Sequence, residues 1–123
     1  SDVTVVATGH LVWEALEAAK ELISEGISVE VINIHTIKPL DEEIILNSVR
    51  KTACIVTAEE HNFHGGLGES IAGMLSRKHP TVQEYVATQD CFGESGTPAQ
   101  LMKKYGLDKN AIIQKVKLVY QRK

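Results

Sequence analysis

The sequence is short of the residues that staple or punctuate small folds. It holds two cysteines in 123 residues, Cys54 and Cys91, far apart in the chain. That argues against the disulfide framework of a small secreted domain and for a cytoplasmic protein. Cys54 lies in an apolar run and reads as a small core residue. Three prolines leave no proline-rich linker. No apolar run approaches the roughly 20 residues of a membrane-spanning helix, so no membrane partner is expected. The formal charge is only -3, and Lys and Arg gather only at the tail. A surface that tracks nucleic-acid phosphates is not expected either.

What remains is an alternation of strand-like and helix-like segments. Residues 1–123 are expected to form one domain, and the abrupt start on a strand suggests a piece of a longer chain. Val3–Gly9, "VTVVATG", is a β-branched run ended by glycine and reads as a buried strand. Leu11–Glu25 has helical spacing, with Val12, Ala15, Leu16, Ala19, Leu22 and Ile23 on one face. Gly26 fits a left-handed helix stop. Ser28–Ile37 reads as a second strand. Pro39 sets a turn and Asp41 can cap a second helix, whose acidic start and basic end (Arg50, Lys51) suit it. Ala53–Glu60 is a third strand, Leu67–Lys78 a third helix ended by Pro80, and Thr81–Gln89 a weaker fourth strand. Pro98–Tyr105 and Asp108 to about Gln121 read as closing helices. The pattern predicts an α/β fold: an open, mostly parallel sheet with helices on both faces.

Such sheets bind ligands beyond the carboxyl ends of the strands, where strand order reverses. With the order 2-1-3-4, that crevice falls between Thr8-Gly9-His10 and Glu59 to Gly68. The stretch "TAEEHNFHGGLGES" (Thr57–Ser70) therefore holds the candidate residues Glu59, Glu60, His61, His64, Gly65, Gly66 and Gly68. Adjacent strand residues point to opposite faces, so Glu59 and Glu60 cannot share a proton as a catalytic pair unless the strand has ended; one can cap the amides of a neighbouring helix or pair with a basic residue. His61 and His64 make at best half a metal site. "GGLG" opens a helix, and its amides could hold an anion, but neither the dinucleotide nor the P-loop glycine pattern is present. Close helix packing is the favoured reading. Trp13 falls with Glu17, Lys20 and Ser24, off the apolar face, as a flat surface residue or an interface anchor. Phe92, in "FGESGTP", sits in a loop suited to docking on another domain.

Together, "ISVEVINIHTIKPLDEEII", "VTAEEHNFHGGLGESIAGML" and "FGESGTPAQLMKKYGLDKNAI" resemble the C-terminal domain of transketolases, including those built from two separate chains. The likeness covers nearly the whole sequence. Deoxyxylulose-phosphate synthase and the beta chains of 2-oxo-acid dehydrogenases share the domain more distantly. The resemblance implies a parent enzyme that moves a two-carbon ketol unit between sugar phosphates, using thiamine diphosphate and a divalent metal such as Mg. The family's diphosphate motif and its catalytic residues lie in the N-terminal and middle domains. No catalytic, cofactor or metal residue is therefore carried onto this chain. The implied role is packing against those domains and assembly of a homodimer. The implied fold is three-layered, with strand order 2-1-3-4. The family's antiparallel edge strand would be missing here or supplied by another segment. The rival reading is a regulatory module that takes an anion or small molecule in the crevice.

Overall fold

The computed structural model describes residues 1–35, 39–62, 66–88 and 108–123. Four strands are seen: β1 (Val3–Ala7), β2 (Val29–Asn33), β3 (Cys54–Asn62) and β4 (Val82–Thr88). Among the described residues there are four helices: α1 (Leu11–Ser24), α2 (Glu42–Thr52), α3 (Leu67–Lys78) and α4 (Lys109–Arg122). The strands form one sheet in the order β2-β1-β3-β4, and every pairing is parallel. The expected α/β architecture and strand order are both present.

Parallel pairing forces crossover connections, and these place helices on both faces of the sheet. Side chains alternate along each strand, and β1, β2 and β3 each feed two cores. On one side Val3, Val5, Ala7, Cys54, Val56 and Ala58 meet Leu11, Ala15, Ala18 and Leu22 of α1, with Ile112, Val116 and Val119 of α4. On the other, Val6 and Ile55 meet Ile45 and Val49 of α2, with Leu67, Ile71, Met74 and Leu75 of α3. β1 is buried along its whole length, which explains its unbroken β-branched run. Between β1 and α2 lies a buried polar link. Thr4 Oγ1 is 2.7 Å from both Ser48 Oγ and Thr52 Oγ1, and Thr52 donates to the Cys54 carbonyl.

Gly26 ends α1 as expected, with φ +84°. Its N–H bonds the Ile23 carbonyl and that of Ile27 the Leu22 carbonyl. This double closure satisfies two orphan carbonyls, and only glycine takes its backbone angle cheaply. Asp108 caps α4 by accepting from the Ala111 N–H at 3.1 Å. Asp41 does the same for α2 at a longer 3.4 Å.

Three expectations are corrected. β2 ends at Asn33 rather than Ile37. Ala53 does not open β3; it closes α2 in the left-handed conformation, φ +64°. On α1, Leu16 and Ile23 are not core residues, being 45% and 60% exposed. The apolar arc of α1 is wider than the strip that touches the sheet. Leu11, Ala15, Ala18 and Leu22 form that strip, and the two alanines let the helix lie close. The closing helix expected at Pro98–Tyr105 lies outside the described residues.

Candidate functional site

β3 runs two residues further than its apolar run suggests, to Asn62. The ladder with β4 is regular up to Ala58 and shifts register between Ala58 and Asn62, yet Glu59 still takes the side opposite Ala58. Ala58 faces α1 and α4, while Thr57 and Glu59 turn to the α3 side. Glu59 is only 2% exposed. Its carboxylate accepts from the N–H of Leu67 at 2.9 Å and of Gly68 at 2.6 Å. The N-cap residue of α3, Gly66, has no side chain to do this. A strand carboxylate thus caps the helix that follows it. Charge-assisted bonds of this kind contribute roughly 1.5–3 kcal/mol each. The negative charge also lies at the positive end of α3.

The second helical residue, Gly68, is pressed against β3 and β4. A Cβ placed there would lie 2.6 Å and 2.7 Å from the Tyr85 ring and 2.8 Å from Thr57 Oγ1. Gln83 closes the cluster by donating to Thr57 Oγ1 at 3.1 Å and to the Gly68 carbonyl at 3.0 Å. Burial raises the Tyr85 phenol above its usual range, and the nearby carboxylates of Glu69, Glu59 and Glu84 push it further. Thr57, Gln83 and Tyr85 were not singled out from sequence. The available signal was the two-residue period that puts Thr57 beside Glu59.

The facing loop is simpler. The Thr8 N–H bonds the Ala58 carbonyl at 3.2 Å, holding the ends of β1 and β3 together. Gly9 turns the chain with φ +56°. His10 is exposed and makes no side-chain cap to α1. The first amides of α1 bond back instead, from Leu11, Val12 and Trp13 to the carbonyls of Thr8, Gly9 and His10. Trp13 is 59% exposed.

The structure therefore brings Thr8 and Gly9 beside Glu59, Gly66 and Gly68 at the carboxyl end of the sheet. Glu60 and His61 belong to β3 by their backbone. His64, Gly65 and Phe92 lie outside the described residues. Among the described residues no three His, Cys, Asp or Glu side chains come together as a metal site. Cys54 is a free, buried thiol, pushed up in pKa by that burial. No described helix is long and apolar enough to cross a membrane. An open groove of about 510 Å³ lies between the start of α2 and α3, over Gly73 and Met74. Its one wall charge on α2, Glu42, is already paired with Lys78.

In chemical terms the arrangement is a closed joint. The amides that could have held an anion, those of Leu67 and Gly68, are occupied by an internal carboxylate. A phosphate arriving there would meet a negative charge.

The family model described as "Transketolase, C-terminal domain" matches residues 1–112. The 6-deoxy-6-sulfo-D-fructose transketolase subunit SqwH of Clostridium sp. (strain MSTE9) is 46% identical over 122 residues, 99% of this chain and 38% of that subunit. The transketolase of Mus musculus is 43% identical over 117 residues, 94% of this chain and 18% of that enzyme. A solved structure described as "Split gene transketolase, inactive beta4 tetramer" superposes with a TM-score of 0.92 at 43% identity, over 98% of this chain and 39% of that one. The chain thus spans well under half the length of each of these relatives.

Proposed function

The chain belongs to the transketolase C-terminal domain family, and from that premise we propose that it is the C-terminal section of a thiamine-diphosphate-dependent transketolase. The parent moves a two-carbon ketol unit between sugar phosphates in cytoplasmic pentose phosphate metabolism. Within it, this section supports assembly, packing against the N-terminal and middle parts and helping to form the homodimer. It takes no part in bond making. The observation that carries this reading is the buried Glu59 carboxylate on the amides of Leu67 and Gly68. It turns the fold's usual ligand crevice into a rigid joint.

The described residues do not fit thiamine diphosphate. A diphosphate needs free amides or a metal, and the α3 amides here are held by a carboxylate that would repel it. The cofactor therefore has no seat among those residues. Its chemistry belongs with residues elsewhere in the parent. The anion-binding alternative is disfavoured on the same ground.

The test is to assay ketol transfer and thiamine-diphosphate binding on the chain alone, then after adding the remainder of the enzyme. The expected result is no turnover and no tight cofactor binding alone, with activity only in the mixture. Turnover by the chain alone would overturn the proposal.

A further inference from the structure

The amino end of the sheet, opposite the crevice, carries its own polar cluster. The Asp2 N–H donates to the Ser28 carbonyl at 2.8 Å, and the Ser28 N–H donates back to the Asp2 carboxylate at 2.8 Å. The Asp2 carbonyl accepts from Lys123 Nζ at 2.7 Å and from the Cys54 thiol at 3.4 Å. Lys123 Nζ also donates, at 3.0 Å, to the carbonyl of Thr52, the last residue of α2. Its charge thus lies at the negative end of α2, and Nζ is 4.7 Å from the centre of the Tyr120 ring. The starts of β1, β2 and β3 and the ends of α2 and α4 are therefore tied at one point.

The first residues of a domain are ordinarily poorly ordered unless tied down. Here Ser1 is exposed, while Asp2 is already half-buried and held at both its amide and its carbonyl. The N–H of Asp2 belongs to the peptide plane shared with Ser1, and its carbonyl to the plane shared with Val3. Holding both planes fixes the two soft dihedrals of Asp2, and with them the direction in which the chain leaves towards Ser1. A lysine suits this place, because its ammonium has three donors that can turn to carbonyls from different elements. We propose that Asp2 and Lys123 form a clamp that stiffens the junction with the preceding part of the parent. This rests on the C-terminal-section reading, which puts most of the parent ahead of Ser1; the chain covers 38% of the SqwH subunit and 18% of the Mus musculus transketolase. Lys123 is a positioning residue that acts through Asp2. The preceding segment enters beside Ser28 as a continuation of the sheet, not as a loose tether. The section and the segment ahead of it then move as one body.

The test is Lys123→Met, which keeps the apolar stem over Tyr120 and removes the charge. Amide hydrogen exchange, followed by nuclear magnetic resonance on the chain, should quicken about tenfold at Val3 and Ser28 and stay unchanged at Val5 and Val56 in mid-sheet. Asp2→Ala should free the Ser28 amide in the same way, and Asp2→Asn, which keeps an acceptor, should leave it protected. In the longer enzyme, exchange read by mass spectrometry should quicken with Lys123→Met in the segment just ahead of Ser1. Unchanged exchange at Val3 and Ser28 overturns the clamp. So does a loss of protection that spreads to Val5 and Val56, which would make Lys123 a general support of the fold. An Asp2→Asn chain as unprotected at Ser28 as Asp2→Ala also overturns it, as does a preceding segment no less mobile in the original enzyme than in the variant. Ketol transfer by the original enzyme is read separately. Its absence undoes the transketolase reading and leaves the exchange result standing; amides that ignore Lys123→Met in an active enzyme do the reverse.

Discussion

Replacing Gly68 by alanine probes how β3 and α3 are joined. The added methyl would sit 2.6–2.8 Å from the Tyr85 ring and Thr57 Oγ1. The ring is half-buried and could swing outward. Thr57 cannot follow, because it is buried, β-branched and held by Gln83. Relief must come from α3 lifting off the sheet, which draws the Leu67 and Gly68 amides away from Glu59. Overpacking alone costs about 1–3 kcal/mol. A stretched charge-assisted bond forfeits part of its roughly 1.5–3 kcal/mol. Against this stands the helix-forming advantage of alanine, about 1 kcal/mol at most. The net expectation is a loss of about 2–3 kcal/mol. Urea denaturation should show it as a midpoint lower by about 1–2 M. Adding Tyr85→Ala should recover part of the loss, with a coupling of about 0.5 kcal/mol or more. A Gly68→Ala protein as stable as the original, or more so, would refute the close approach and the argument built on it.

Glu59→Gln should cost about 2–4 kcal/mol, because the amide can face two helix donors with only one acceptor; thermal unfolding measures it, and a loss within 0.5 kcal/mol, roughly what a surface change gives, would count against the cap. Ala53→Gly should stabilise the chain by about 0.5–1 kcal/mol, since it relieves a left-handed alanine at an exposed site while adding unfolded-state freedom; an unchanged or lower melting temperature would contradict it. Of the three tyrosines, Tyr85 should titrate above the usual value of about 10, as an ultraviolet absorbance titration would reveal. The fold favours its neutral phenol, so that contribution is whole below pH 10 and is lost as pH rises through the raised pKa. A stability profile flat across the alkaline range would argue against burial of the ring.

Much of the framework was legible because local chemistry dictated it. The bounds of α3, the stop at Gly26 and the cap at Asp108 each depend on a few neighbouring residues. The strand order followed from a family resemblance that the sheet bears out. That one of Glu59 and Glu60 can cap a helix is legible, but which of them does so, and on which amides, is not. A carboxylate reaching amides eight and nine residues on depends on where the strand ends and how the following turn is folded. The exposure of Leu16 and Ile23 is hidden from sequence for a related reason. Periodicity gives the width of an apolar arc, but the tilt of the helix on the sheet decides which third is covered. Ala53 resembles a strand start because the apolar Cys54, Ile55 and Val56 follow it, although its left-handed backbone closes α2.

All four helices follow parallel strands, and α1 and α4 meet in matching order along their lengths, Glu14 and Glu21 to Lys109 and Glu25 to Lys117. Their amino ends therefore gather at one end of the sheet. Each helix start carries roughly half a positive charge, so four together would project a field of about two charges into solvent. Asp41, Glu59 and the pair Asp108 and Glu14 sit on three of those starts. Those four carboxylates together outweigh that charge, so the described helix starts present no net positive field. An anion approaching those starts therefore meets carboxylates where bare amides would have drawn it in.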